Sequence, residues 1–365
     1  MRVGIIGAGQ LGQMLALAGY PLGITCTFLD RHGDAPGGLV SRMLLGELDD
    51  VRQLDALAAG VDVVTFEFEN IPVAALERAG AAAPVYPPAT ALAAAQDRLH
   101  EKRLFECLGI PTASYVAVDT AEDLRSVGQR LGWPVVLKAR RLGYDGRGQR
   151  VVHSARALEP AWTQLGGVAA IAERWVDFER ELYLMGVRGA DGDVVFYPLC
   201  ENLHDDGILS QTLAPFEDPG LQRTAQHWLT AIMERFEYRG VLTVEFFQTA
   251  SGLVANEMAP RVHNSGHWTI EGAETSQFEN HLRAVLGLPL GGTAARGCAA
   301  MLNLIGRMPD TAKLLGLRDA HLHDYGKAPR PNRKLGHCTI VGPDQASVAA
   351  RLSLLKAAVD PSAAS

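Results

Sequence analysis

The period of the apolar positions changes several times along this chain, and each change marks an element. Residues 2–6 (RVGII) form a short continuous apolar run, and from Leu11 the apolar residues recur at helical spacing through Met14, Leu15 and Ala18. Continuous runs return at 24–29 (ITCTFL) and 61–66 (VDVVTF), with a helical segment near 50–59 before the second. Strands without polar alternation are those buried on both faces, so this rhythm predicts a parallel α/β layer. Pro84, Pro87 and Pro88 punctuate its end and place a boundary near residues 90–95.

The spacing then predicts a helix over 91–109, stopped by Gly109 and Pro111. Beyond it the texture becomes antiparallel. VVLKA (135–139) and RVVH (150–153) flank a glycine-rich connection, and AAIAERWV (169–176) and ELYLMGV (181–187) follow. A long helix near 220–236 precedes a hairpin, VLTVEFFQ (241–248) and LVANEM (253–258), joined by the turn TASG. A helix over about 275–286, short strands with a basic cluster, and an alanine-rich helix at 346–358 complete the pattern.

Composition narrows the function classes. With 365 residues, 47% apolar and 21% charged, the chain is long enough for two or three domains with well-buried cores. A net charge of −7 argues against bulk binding to nucleic acid or an anionic membrane, while leaving local anion sites open. The five cysteines are scattered without a C-x-x-C, which excludes a cysteine zinc cluster and fits a reducing cytosol. The N-terminus makes a poor signal peptide and no apolar stretch is long enough to span a bilayer, so a cytoplasmic protein is expected.

Five features carry candidate chemistry. Gly7-Ala8-Gly9-Gln10-Leu11-Gly12 follows a strand and opens a helix, where backbone N–H groups attract an anion. With Asp30 ending the second strand, it suits a dinucleotide, another phosphorylated ligand or a tight structural turn. In the hairpin, a turn centred on Ser251 makes Glu245 and Glu257 direct cross-strand neighbours, with Cβ atoms ~5 Å apart. Opposed carboxylates repel unless a divalent cation such as magnesium sits between them, the alternative being two glutamates on a solvated face.

The connection RRLGYDGRGQR (140–150) joins three glycines to four arginines, as in a mobile flap over phosphates or a plain hairpin tip. Lys138, closing the preceding strand, aims a point charge at phosphates or snorkels. NEMAPRVHNSGHW (256–268) packs acid, guanidinium, imidazole and amide together. There Arg261 can grip a planar oxyanion, with His263 and Asn264 adding donors, and His267 reads as structural. KAPRPNRKLGH (327–337) is a phosphate site or a solvated basic loop. The chain has no G-x-x-x-x-G-K-[ST], H-E-x-x-H or G-x-S-x-G, so P-loop, zincin and nucleophile-elbow readings have no support.

In order, Lys138, the glycine-rich flap, ERWV (173–176), Glu181 and the Glu245/Glu257 pair resemble the ATP-grasp superfamily. GYDGRGQ (143–149), FYPLCENLHDDGIL (196–209), NEMAPRVHNSGHWT (256–269) and RPNRKLGH (330–337) look like its branch of carbon–nitrogen ligases that carboxylate an amino-ribonucleotide in purine biosynthesis. The resemblance implies an α/β and α+β multidomain fold. A Rossmann-like pre-ATP-grasp domain would span 1–95, an ATP-grasp domain with a glycine-rich flap 96–290, and a small β-rich domain 291–365.

The implied reaction joins 5-aminoimidazole ribonucleotide, bicarbonate and ATP through carboxyphosphate. By resemblance, ATP is held by Arg98, Lys138, Gly143, Tyr144, Asp145, Gly146, Arg147, Gly148 and Gln149. The hinge Glu173, Arg174, Trp175 and Val176, with Glu181, His204, Asn256 and Glu257, completes that set. Magnesium, as two ions, would lie on Glu245 and Glu257. Arg261, His263 and Asn264 would position carboxyphosphate, Lys327 would stabilise developing charge, and Asp145 would orient or deprotonate the amine. Gly9, Gln10, Leu11 and Glu67 would line the amino-ribonucleotide pocket, its phosphate against Tyr144, Arg147, Arg330 and Arg333. Asp30 then becomes a strand-end residue. A homodimer is implied, with no nucleic-acid or membrane partner. The rivals are a formate-dependent glycinamide ribonucleotide transformylase, which typically carries Glu where Gln10 stands and lacks HNSGHW, and an NAD-dependent oxidoreductase, which leaves most of the chain unexplained.

Overall fold

The apolar runs of the N-terminal segment become strands because their side chains are covered on both faces. In the computed structural model, which describes residues 1–143 and 148–359, these strands are β1 (Arg2–Ile6), β2 (Thr25–Asp30), β3 (Arg42–Leu45) and β4 (Val63–Phe66). They form a parallel sheet in the order β3-β2-β1-β4. Val3, Ile5, Phe28, Val64 and Phe66 are buried, beneath helices α1 (Gln10–Gly19), α2 (Val51–Ala59) and α3 (Val73–Gly80). β4 starts at Val63 rather than at residue 61, because Asp62 turns outward and accepts from the Arg2 backbone N–H (2.8 Å) and guanidinium (2.9 Å).

The single helix expected over 91–109 is two, α4 (Ala89–Ala95) and α5 (Arg98–Cys107). Asp97 causes the break. Its Oδ1 accepts from the Leu99 N–H (3.0 Å), capping α5, and its carboxylate receives Arg140 in a fork at 2.9 and 2.8 Å.

A second sheet, antiparallel, orders β5 (Tyr115–Val118), β8 (Ala170–Arg174), β6 (Val135–Ala139) and β7 (Gln149–Val152). Helices α6 (Leu124–Leu131) and α7 (Ala155–Gln164) close its core of Val116, Val127, Leu137 and Leu158. The third sheet is the largest. It runs β14 (Gly252–Ala259), β13 (Gly240–Thr249), β9 (Arg180–Arg188), β11 (Cys200–Asp205), β12 (Ile208–Ala214), β15 (Cys298–Ile305), β17 (Lys334–Gly342), β16 (Ala320–Asp324), with β10 (Val194–Phe196) on β9. Helix α8 (Pro219–Arg235) packs on it through Ala225, Leu229, Ile232 and Met233. Helices α9 (Thr269–Gly272) and α10 (Gln277–Leu286) follow the hairpin, and α11 (Thr311–Leu315) and α12 (Gln345–Val359) flank the last strands.

The C-terminal segment is β-rich, and its strands extend the large sheet: β15 pairs with β12 from Gln211↔Leu302 to Ala214↔Ala299. Among the described residues no helix is long and apolar enough to cross a membrane.

Candidate active site

A cleft of about 680 Å³ is lined from all three sheets. Beside the first sheet, α1 contributes Gln10 and Leu11 and the residue after β4 contributes Glu67; the second sheet supplies Lys138 and Glu173, the third Glu181, Glu245, Asn256 and Glu257.

The hairpin corrects one expectation. Thr249 pairs with Gly252, and that register continues to Phe246↔Ala255; beyond a bulge, Val244 pairs with Met258. Glu245 therefore opposes both Asn256 and Glu257, and the two glutamates are not direct partners. Consecutive strand residues normally face opposite ways, and a bulge re-aims one of them. Here both Asn256 and Glu257 line the cleft. Asn256 Nδ2 lies 3.5 Å from Glu245 Oε2, while Glu257 pairs with Arg98.

The two carboxylates are electrostatically unequal. Burial drives the Glu245 carboxyl well above the usual range, and the charges of Glu257 and Glu181 add to this. Burial also opposes ionisation of Glu257, but Arg98 and Lys138 outweigh it and hold that group at about 2. Two carboxylates lining one cleft, Glu245 half-buried and Glu257 about a third exposed, are a donor set that a hard divalent cation satisfies. Among the described residues no cluster of three or more His, Cys, Asp or Glu could hold a metal ion. Magnesium needs no such cage, because it keeps water and phosphate oxygens as ligands.

Around this pair the polar groups interlock. Tyr183 Oη donates to Glu245 Oε2 (3.0 Å), and its ring stacks on His204 and His263. His263 Nδ1 accepts from the Ser265 N–H (3.3 Å), which leaves Nε2 to carry the proton 3.6 Å from Glu245 Oε1. Burial, with Arg261 and Lys334 nearby, keeps this imidazole neutral. Lys138 Nζ donates to Glu173 Oε2 (2.9 Å) and Asn256 Oδ1 (3.4 Å). Glu173, expected at the hinge, thus turns its side chain to Lys138 and to Lys102 at 3.6 Å, and these two cations hold its carboxyl low against its burial. Arg174, Trp175 and Val176 line the cleft next to it. Glu181 Oε2 meets His204 Nδ1 at 2.6 Å, and Phe178 stacks on Phe247 at 4.6 Å.

At the other end, Arg261 is 6% exposed. One Nη meets Glu69 Oε1 at 2.5 Å, the other donates to Val262 O (2.9 Å), and its buried Nε has no partner among the described residues. Asn264 and Asn303 exchange amide hydrogen bonds of 3.1 and 2.9 Å. His267, read as structural, is buried against Phe278 and His337.

The glycine loop has a different use from a dinucleotide fingerprint. Glu67 accepts from the N–H groups of Gly9 (2.6 Å) and Gly12 (2.8 Å), at the start of α1. A Cβ on Gly7 or Gly9 would lie 2.6 or 2.5 Å from Glu67, so these glycines admit the carboxylate. An acid already on the helix terminus would repel a pyrophosphate there. Asp30 accepts from Ala8 N (2.8 Å) and His32 N (2.9 Å), a strand-end role.

Other expected residues are divided. Gly143 and Gln149 line the cleft, and Gly148 has φ +79°, a left-handed backbone that suits glycine. Tyr144, Asp145, Gly146 and Arg147 lie outside the described residues. Arg140 and Arg141 are not free cations of a flap, because both reach Asp97. Lys327 approaches through its bond to Gln10 Oε1. Arg330 is exposed and Arg333 donates to Ala328 O (3.0 Å), so neither lines the cleft. Residues not anticipated from sequence include Glu69, Glu101, Lys102, Phe178, Tyr183 and Lys334. Lys334 stood in the basic motif, whereas Glu101 and Lys102 lay inside the helix expected over 91–109 with no motif to single them out.

A strand lysine and a bulged carboxylate hairpin facing one cleft, beside a glycine-rich connection, define an ATP-grasp ligase. Family models agree: a ribonucleotide synthetase preATP-grasp domain matches residues 1–96, an ATP-grasp domain 103–278, and a phosphoribosylaminoimidazole carboxylase C-terminal domain 299–351. The N5-carboxyaminoimidazole ribonucleotide synthase of Pseudomonas aeruginosa is 48% identical over 360 residues, covering 99% of this chain and 100% of that protein. The crystal structure of the Thermus thermophilus synthetase matches with TM-score 0.94 and 51% identity over 98% of both chains. That of the Aspergillus clavatus enzyme, in complex with ADP and 5-aminoimidazole ribonucleotide, matches with TM-score 0.92 and 32% identity, covering 99% and 98%. The chain belongs to the N5-carboxyaminoimidazole ribonucleotide synthase family.

Proposed function

We propose that this cleft carboxylates 5-aminoimidazole ribonucleotide with ATP and bicarbonate, by way of carboxyphosphate. The observation that carries the reading is Arg261, a buried guanidinium whose Nε has no partner among the described residues, lining the same cleft as Lys138 and the Glu245/Glu257 pair. Such a group fits a small planar oxyanion, and bicarbonate is one.

In this reading Lys138 meets the nucleotide phosphates, residues 173–176 with Phe178 and Phe247 hold the adenine, and Glu181 with His204 takes the ribose. Arg98 fixes Glu257. Magnesium on Glu245 and Glu257, as two ions, would neutralise phosphate charge. Bicarbonate is a poor electrophile. Transfer of the terminal phosphoryl group to its oxygen releases ADP and gives carboxyphosphate, whose phosphate is a good leaving group. Arg261, His263 and Asn264 orient that anion, Asn264 being itself aligned by Asn303. The exocyclic amine then forms the C–N bond as the C–O bond to phosphate breaks, and Asp145 receives the amine proton. Gly9, Gln10, Leu11 and Glu67 bound the amino-ribonucleotide, with Tyr144, Arg147, Arg330 and Arg333 drawn onto its phosphate. The division into 1–95, 96–290 and 291–365, the homodimer and the cytoplasmic location belong to the same proposal.

Lys327 adds a pH signature. Burial, aided by Arg333 and Lys334 and opposed by Glu67, brings its amine down to about 8. The charged form stabilises the developing anion, so carboxylation should fall as pH rises through about 8. Lys327→Arg should move that limb to higher pH; an unmoved limb would count against the role. The reading as a whole is tested by ADP release from the purified protein with magnesium. Release should require both bicarbonate and 5-aminoimidazole ribonucleotide; turnover on formate with glycinamide ribonucleotide would replace the reading.

A further inference from the structure

The bulge that brings Asn256 and Glu257 into the cleft lies on β14, an edge strand of the large sheet. An edge strand presents outward N–H and C=O groups, and when buried these need partners. Beside this bulge the partners come from elsewhere in the chain. Pro111 O accepts from the Ala255 N–H (2.8 Å), and Thr112 Oγ1 donates to Ala255 O (2.9 Å). From there onward α5 takes over. Lys102 Nζ donates to Asn256 O (2.7 Å) and Ala255 O (3.4 Å), and Glu101 Oε1 accepts from the Met258 N–H (2.7 Å). Arg98, one helical turn earlier, pairs with the Glu257 side chain.

One helix face thus grips residues 255–258 in place of a neighbouring strand. Glu101 is 2% exposed and Lys102 1%, a costly placement for charged groups unless they are fully engaged. Lys102 also shares Glu173 with Lys138, which in turn bonds Asn256 Oδ1. Its ammonium therefore fixes both the backbone and, through Glu173, the strand lysine across the cleft.

We propose that Glu101 and Lys102 are positioning residues. They hold the β14 bulge so that Asn256 and Glu257 face the cleft together, and they set magnesium affinity without touching substrate. The inference rests on the reading of Glu245 and Glu257 as the magnesium carboxylates. Removing the acceptor at 101 lets the bulge relax toward regular pairing, in which Asn256 and Glu257 point opposite ways.

The test compares Glu101→Ala, Glu101→Gln and Lys102→Met in the full chain. It reads the Mg²⁺ half-saturation of ADP release, kcat and KM for each substrate, and thermal unfolding. Supporting partners of metal ligands carry about 10–100-fold in metal affinity, so Glu101→Ala should raise the half-saturation at least about tenfold. Glu101→Gln keeps an oxygen for the Met258 N–H and should stay within about threefold of the parent. KM for 5-aminoimidazole ribonucleotide, bound at the other end, should not move. Lys102→Met, which leaves the acceptor at 101 in place, should raise both the Mg²⁺ half-saturation and KM for ATP, and it decides the matter if Glu101→Ala does not fold. A parent-like Mg²⁺ dependence in Glu101→Ala, or in Lys102→Met where that variant alone folds, overturns the inference. So does equal impairment of Glu101→Ala and Glu101→Gln. Parent turnover that ignores Mg²⁺ would instead overturn the metal reading itself.

Discussion

Arg261→Ala is expected to lower kcat/KM for bicarbonate by about a thousandfold, the scale of losing a preorganised donor to a developing oxyanion. ATP binding should change little, because Lys138, Glu181 and the residue 173–176 edge lie elsewhere in the cleft. The side chain is almost wholly enclosed and has Glu69 as its counter-ion at 2.5 Å. Its loss leaves that carboxylate uncompensated. Burial, with the charge of Glu257, already pushes the Glu69 carboxyl up, and Arg261 is the larger of two cations, the other being Arg98, that oppose the shift. Stability should therefore fall as well, and Glu69→Gln in the same chain should recover stability without recovering rate. Arg261→Lys should not rescue the reaction, since an ammonium lacks the planar fork. Carboxylation by Arg261→Ala within about fivefold of the parent would remove the guanidinium from the mechanism.

Glu257→Gln should raise the Mg²⁺ needed for half-maximal turnover by more than the roughly 10–100-fold that a supporting partner of a metal ligand carries, and lower kcat. The substitution removes half of the carboxylate pair and the partner of Arg98 together. It also has a signature in acid. Held at about 2 against an ordinary 4.5, the Glu257 carboxylate stabilises the fold fully above about pH 4.5, and that contribution is lost as pH falls toward 2. Unfolding of Glu257→Gln should lack this part of the acid dependence. Urea melts at pH 3 and pH 6 would show it, and identical pH sensitivity in the two proteins would contradict the assigned ion pair.

The parallel layer was legible because buried strands such as RVGII and ITCTFL carry no polar interruption. Arg261 and His263 stood out because NEMAPRVHNSGHW packs acid, guanidinium, imidazole and amide into one segment, and Lys138 because it closes an apolar strand, whereas Glu181 entered only through the resemblance. The hairpin register was not. A turn one residue different from the one assumed, followed by a bulge, leaves strand length unchanged, and nothing in VEFFQTASGLVANEM marks where the extra residue falls. Asp97 ended one helix and capped the next without a glycine or proline to announce it. Glu101 and Lys102 were hidden for a related reason. Charged residues on a helix read as solvent-facing, and only the tertiary meeting of α5 with an edge strand gives them buried work. The glycine loop was misleading locally, because its fingerprint is shared with dinucleotide sites while the carboxylate that fills it, Glu67, comes 55 residues beyond Gly12.

The proposed function has this cleft phosphorylate bicarbonate and pass its carbon to the amine of 5-aminoimidazole ribonucleotide. It is tested most directly with ¹⁸O-labelled bicarbonate in the complete reaction, by mass analysis of the inorganic phosphate released. Phosphoryl transfer to a bicarbonate oxygen, followed by C–O cleavage, predicts one ¹⁸O atom in each phosphate and stoichiometric N5-carbamate. Phosphate free of label, or labelled phosphate without carboxylated ribonucleotide, would contradict it.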